Sequence, residues 1–129
     1  TALAKEGTTS FLVTTMTQSK ENIENSLTAV KDFITNYDNS GAEPLGVHLE
    51  GPFISDKHIG AQPKEYVAKP NVELFNDFYT ASGNNIKLVS LAPEEDGALE
   101  LVKALAEKGL PETTDPFRGV FHLAFSPNP

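Results

Sequence analysis

With 129 residues, 39% hydrophobic and 22% charged, and a formal charge of -8, the chain has the size and composition of one globular domain and is too short for two ordinary ones. No run approaches the roughly 20 apolar residues that span a bilayer, and ten basic residues scattered through an acidic chain make no patch, so neither a membrane nor a nucleic acid is expected as a partner. The absence of cysteine excludes disulfides and thiolate metal sites, so any metal must take nitrogen and oxygen ligands, and it is compatible with a cytoplasmic location.

Residues Ala2 to Lys5 followed by Gly7 read as the last turn of a helix. There is neither a basic-then-apolar leader nor an initiator methionine, and the chain is therefore expected to be a partial product. Thr8 to Thr15 is rich in β-branched and aromatic residues and is expected as a buried strand. Ser19 is placed to cap a helix that turns Ile23, Leu27, Val30, Phe33 and Ile34 inward and stops at Asn39-Ser40-Gly41. A second strand, Leu45 to Glu50, leads into a long loop from Gly51 to about Pro70, and loops of that length are commonly functional.

Asn71 is positioned to cap a helix carrying Leu74, Phe75, Phe78 and Tyr79 on one face, and Ile86 to Leu91 makes the next strand. Asp96 is expected to open a further helix with Leu99, Val102 and Leu105 inward, closing at Lys108-Gly109. Strict alternation of helix and strand implies parallel strands joined by right-handed crossovers, in a sheet covered on both faces because the strands are continuous apolar runs. After Gly109 the pattern changes, because Leu110 to Pro116 contains two prolines and almost no apolar surface. Residues 1–109 are thus expected to form the ordered α/β unit and residues 110–129 a divergent tail, within which Val120 to Phe125 could supply a late strand.

The segment with most chemistry is Gly46-Val47-His48-Leu49-Glu50-Gly51-Pro52-Phe53. Alternation along a strand puts His48 and Glu50 on one face, and Gly51-Pro52 ends regular pairing, leaving Glu50 at the sheet's lip, where α/β folds keep their active sites. Spacing alone leaves Glu50 either a metal ligand or a solvated carboxylate, and leaves His48 either a ligand or a group that orients its neighbours. His58 has no partner in sequence, Gly60-Ala61-Gln62-Pro63 suits either close backbone approach to a ligand or a simple turn, and Pro93-Glu94-Glu95-Asp96 suits the positive end of the next helix. No nucleophile triad, phosphate-binding glycine loop or dinucleotide fingerprint is present.

The order of motifs carries more than their spacing. Ala4-Lys5-Glu6-Gly7-Thr8-Thr9-Ser10-Phe11, Gly46 to Phe53, Gly60-Ala61-Gln62-Pro63 and Leu91-Ala92-Pro93-Glu94 together resemble the N-acetylglucosamine-6-phosphate deacetylase family of the amidohydrolase superfamily, over about residues 1–109. The resemblance implies roughly the second to fourth βα units of a (β/α)8 TIM-type barrel, with Glu50 a metal ligand ending the third barrel strand. It implies contacts from Ala61 and Gln62 to an amino-sugar phosphate, and a supporting role for His48. In such enzymes a divalent metal, zinc or iron, polarises the acetyl carbonyl and activates water while an aspartate of the last strand acts as base and then acid, giving acetate and glucosamine 6-phosphate in amino-sugar catabolism.

The resemblance also implies a homo-oligomer for the full-length enzyme, and it assigns no catalytic residue to this chain. The family's first-strand H-x-H would precede Thr1, its later histidine ligands and aspartate would follow Gly109, and His122 matches the sixth-strand histidine motif only faintly. A truncation, deletion or frameshift would account for the divergent tail. The chain alone is therefore expected to be inactive. A fragment of another amidohydrolase, or an independent non-catalytic α/β binding or assembly module, is the alternative.

Overall fold

A computed structural model of the chain describes residues 2–57, 59–110 and 112–114. Expectations for His58, for a strand over residues 120–125 and for His122 lie outside the described residues. In chain order the elements are α1 (Ala2–Lys5), β1 (Ser10–Thr14), α2 (Lys20–Thr35), β2 (Glu43–Glu50), a short 3-10 turn (Lys64–Tyr66), α3 (Val72–Ala81), β3 (Ile86–Leu91), α4 (Ala98–Glu107) and β4 (Glu112–Thr114). The helix starts follow from side-chain chemistry. Ser19 Oγ accepts from Asn22 N at 3.3 Å and Asn71 Oδ1 accepts from Leu74 N at 2.8 Å, each satisfying a donor that the first helical turn leaves open.

All strand pairs are parallel, in the order β1-β2-β3-β4, so β2 and its terminal Glu50 lie inside the sheet. Two register shifts adjust the faces: Leu45 is the extra residue of β2 against β1, and Lys87 the extra residue of β3 against β2. Beyond them the pairing is Thr14↔His48 and Glu50↔Ser90. Polar side chains of three strands therefore share one face. The opposite face carries Val47, Leu49, Ile86, Val89 and Leu91, which are completely buried in one core with Ile23 and Leu27 of α2, Phe75 and Phe78 of α3, and Ala98, Leu101 and Leu105 of α4.

Three expectations need correction. The helices packed on the sheet cover one face among the described residues, not both, because the core gathers α2, α3 and α4 onto the Val47/Leu49 side while His48 and Glu50 on the other side are only half-buried. Phe33 and Leu99, expected inside, are 50% and 62% exposed. In α4 the complete i, i+3, i+4, i+7 set is Ala98, Leu101, Val102 and Leu105, which turns Leu99 about 100° away from the sheet. In α2 the inward stripe runs through Ile23, Leu27 and Val30, leaving Phe33 to pack at the surface near Tyr37, 6.3 Å between ring centroids.

The polar segment after Gly109 also contributes. Leu110 is buried in the core, its N-H bonded to the Leu105 carbonyl at 3.0 Å, and β4 then pairs with β3 through Val89↔Glu112 and Leu91↔Thr114. No helix among the described residues is long and apolar enough to cross a membrane.

Candidate active-site lip

A parallel sheet collects the exits of its strands at one end, and here that end is built by the β1–α2 connection, the long loop after β2 and the β3–α4 connection. Glu50 is the last residue of β2, half-buried, with its main-chain N-H donating to Thr15 Oγ1 of the neighbouring connection at 3.2 Å. Its carboxylate takes part in no hydrogen bond or ion pair among the described residues. The group is thus held by its backbone and open at its side chain.

His48, two residues earlier on the same face, spans three strands. Nε2 lies 2.8 Å from Ser90 Oγ of β3, and Nδ1 lies 3.5 Å from Thr14 Oγ1 of β1. Both ring nitrogens thus face hydroxyls of adjacent strands. Ser90 and Thr14 were not legible as partners from sequence, since a lone serine or threonine in a strand carries no signal until the register sets it opposite a histidine.

The Gly51–Pro70 loop packs inward at its start. Pro52, Phe53, Ile54 and Ser55 are buried, and Phe53 lies in the core with its ring centroid 6.4 Å from that of Phe78. The Phe53 carbonyl accepts from Ala92 N at 2.8 Å and the Pro52 carbonyl from Ala68 N at 3.0 Å, closing the loop on itself and onto the end of β3. Ser55 Oγ donates to Glu95 at 3.0 Å, and Lys69 pairs with Asp96 at 2.6 Å. That contact holds the exposed Asp96 carboxyl below its usual range and raises Lys69. The acidic cluster at the end of β3 therefore fastens the loop, where the sequence suggested service to the next helix.

Ala61 and Gln62 follow in this loop. Ala61 is exposed; Gln62 is half-buried, and its Oε1 accepts from Thr17 N at 2.8 Å, tying the loop to the β1–α2 connection. Thr17 is completely buried, and its hydroxyl has no hydrogen-bond partner among the described residues. It lies against Gly51, where a Cβ would come within 2.1 Å of Thr17 Oγ1. An unpaired buried hydroxyl is costly, so Thr17→Val, which keeps the shape and removes the polar atom, is expected to raise unfolding free energy by about 1 kcal/mol in a urea titration. A loss of stability would mean that the hydroxyl has a partner.

Glu50, His48 and the Gln62 loop thus come to the same end of the sheet through Gly51 and Thr17. Among the described residues, however, no three histidine, aspartate or glutamate side chains gather as a metal site. One carboxylate is offered, while the His48 imidazole on the same face lies against Ser90. These residues do not by themselves hold a catalytic metal, which usually takes three protein ligands.

No protein-family model matches the chain. Among curated proteins, N-acetylglucosamine-6-phosphate deacetylase of Bacillus subtilis (strain 168) is 47% identical over 110 residues, which are 84% of this chain and 28% of that protein. The crystal structure of the Thermotoga maritima N-acetylglucosamine-6-phosphate deacetylase matches with a TM-score of 0.73 at 29% identity, covering 88% of this chain and 29% of that one. A mutant of the Mycobacterium smegmatis deacetylase, solved in complex with N-acetyl-D-glucosamine-6-phosphate, shares the fold with a TM-score of 0.76 at 23% identity, over 84% of this chain and 27% of that one. The chain is a homologue of the N-acetylglucosamine-6-phosphate deacetylases, hydrolases of which it spans a little over a quarter.

Proposed function

We propose that this chain carries one wall of an N-acetylglucosamine 6-phosphate deacetylase site, corresponding to about the second to fourth βα units of a (β/α)8 barrel. The observation that carries this is the convergence, on one lip of a parallel sheet, of the Gln62 loop and a Glu50 carboxylate without a partner among the described residues, within a segment homologous to such enzymes. Glu50 serves as one ligand of a divalent metal, zinc or iron, whose other ligands lie elsewhere in the enzyme. That ion would supply Lewis-acid polarisation of the acetamide and an activated water.

This chain's own residues orient and bind. His48 braces the three strands beneath Glu50, and Ala61 and Gln62 contact the amino-sugar phosphate. The reaction is hydrolysis: water adds to the acetyl carbon, the C–N bond breaks, and acetate and glucosamine 6-phosphate leave, the amine taking up a proton. We place the enzyme in cytoplasmic amino-sugar catabolism as a homo-oligomer.

The purified 129-residue chain is expected to release no acetate from N-acetylglucosamine 6-phosphate, because its described residues supply one carboxylate where a working centre needs several ligands and a base. Exchanging its residues 2–109 for the aligned segment of the Bacillus subtilis enzyme is expected to leave that enzyme active. Acetate release by the chain alone would overturn the partial-site reading, and a folded but inert exchange protein would overturn the deacetylase reading.

A further inference from the structure

The contact between Thr17 and Gln62 fixes more than a loop position. A main-chain N-H can only donate, so the carboxamide atom facing it at 2.8 Å must be the oxygen, whatever the apparent orientation of the amide. The NH2 group is then turned the other way, and it donates to no group among the described residues. Thr17 itself cannot drift. It is completely buried, with its main-chain N, Cα and hydroxyl all pressed against Gly51 at the exit of β2.

We infer that Thr17 is a positioning residue: its main-chain N-H holds Gln62 by the carboxamide oxygen, so that the NH2 is presented as a fixed donor to an oxygen acceptor of the bound ligand. The identity of that ligand as an amino-sugar phosphate rests on the function proposed above; the clasp does not. The shared chemistry of the ligand is an oxygen with free lone pairs, either a phosphate oxygen or an acyl or sugar oxygen. A carboxamide held at one end loses less freedom on binding than a free glutamine side chain, which is the advantage of holding it. The Thr17 hydroxyl has no part in this, being directed at Gly51 without a partner among the described residues.

The test uses the 129-residue chain and amide-resolved NMR. The Thr17 amide proton is expected to exchange about tenfold faster in Gln62→Ala than in the parent, as befits loss of one hydrogen bond, and to stay protected in Gln62→Glu, whose carboxylate can still accept. Unchanged exchange in Gln62→Ala would overturn the clasp. Separate titrations with inorganic phosphate, N-acetylglucosamine and N-acetylglucosamine 6-phosphate then follow the Gln62 NH2 resonances. A shift with phosphate alone identifies a phosphate acceptor, and one with N-acetylglucosamine alone an acyl or sugar oxygen; no shift with any of the three overturns the presented donor. Exchange protection needs no catalysis, so a clasp that persists beside an inert exchange protein would refute the deacetylase reading and spare this one.

Discussion

Gly51→Ala is expected to destabilise the chain by about 3 kcal/mol or more, far beyond an ordinary loop substitution. Two causes add. Gly51 sits at φ +76, where any side chain is strained by roughly 1–2 kcal/mol. The new Cβ would also lie 2.1 Å from Thr17 Oγ1 and 3.0 Å from Thr17 N, so a completely buried residue would have to move.

Gly60→Ala separates the two causes. Gly60 has φ +61 in the same loop, but no atom of the described residues lies within 4 Å of its Cβ position, so only the conformational cost of about 1 kcal/mol applies. Urea unfolding of both variants measures the difference. Equal losses would show that Gly51 and Thr17 are not in contact. Because Thr17 also holds Gln62, Gly51→Ala is further expected to speed exchange of the Thr17 amide.

The second large effect concerns Glu50. In the Bacillus subtilis deacetylase carrying residues 2–109 of this chain, Glu50→Gln is expected to lower acetate release by at least about a hundredfold. Changes to groups that merely support metal ligands already cost 10–100-fold, and a ligand itself should cost no less. Bound metal per polypeptide, measured by mass spectrometry on the same preparations, is expected to fall with the activity. His48→Gln, which alters a brace across three strands, is expected to change metal content less than Glu50→Gln. If Glu50→Gln retains both metal and activity, Glu50 is only a solvated strand-end carboxylate, the alternative that spacing alone left open.

Much of this architecture is legible along the chain. Ser19 and Asn71 announce their helices because an N-cap is local chemistry, and Ile86 to Leu91 coincides with β3 because apolar β-branched runs bounded by breakers have few other outcomes. The placement of Glu50 follows from Gly51-Pro52 ending the strand. By contrast, β4 was hidden: Glu112-Thr113-Thr114 has little apolar content, and only the open edge of β3 recruits it. Phe33 and Leu99 were misplaced because large apolar residues one position off a stripe look inward in a linear reading.

By itself the sequence determined the alternation of helices and strands, the parallel sheet, the strand-end position of Glu50 and the family resemblance, all of which depend on residues close together in the chain or on motif order. Only the tertiary structure decided which neighbours those residues have. Register set Ser90 and Thr14 against His48, the fold of the long loop brought Gln62 to Thr17, and the close approach of Gly51 left the Thr17 hydroxyl without a partner among the described residues. Such contacts join residues 34 to 45 positions apart, and a hydrogen bond between them exists only once two register shifts and the folded loop have fixed the distance.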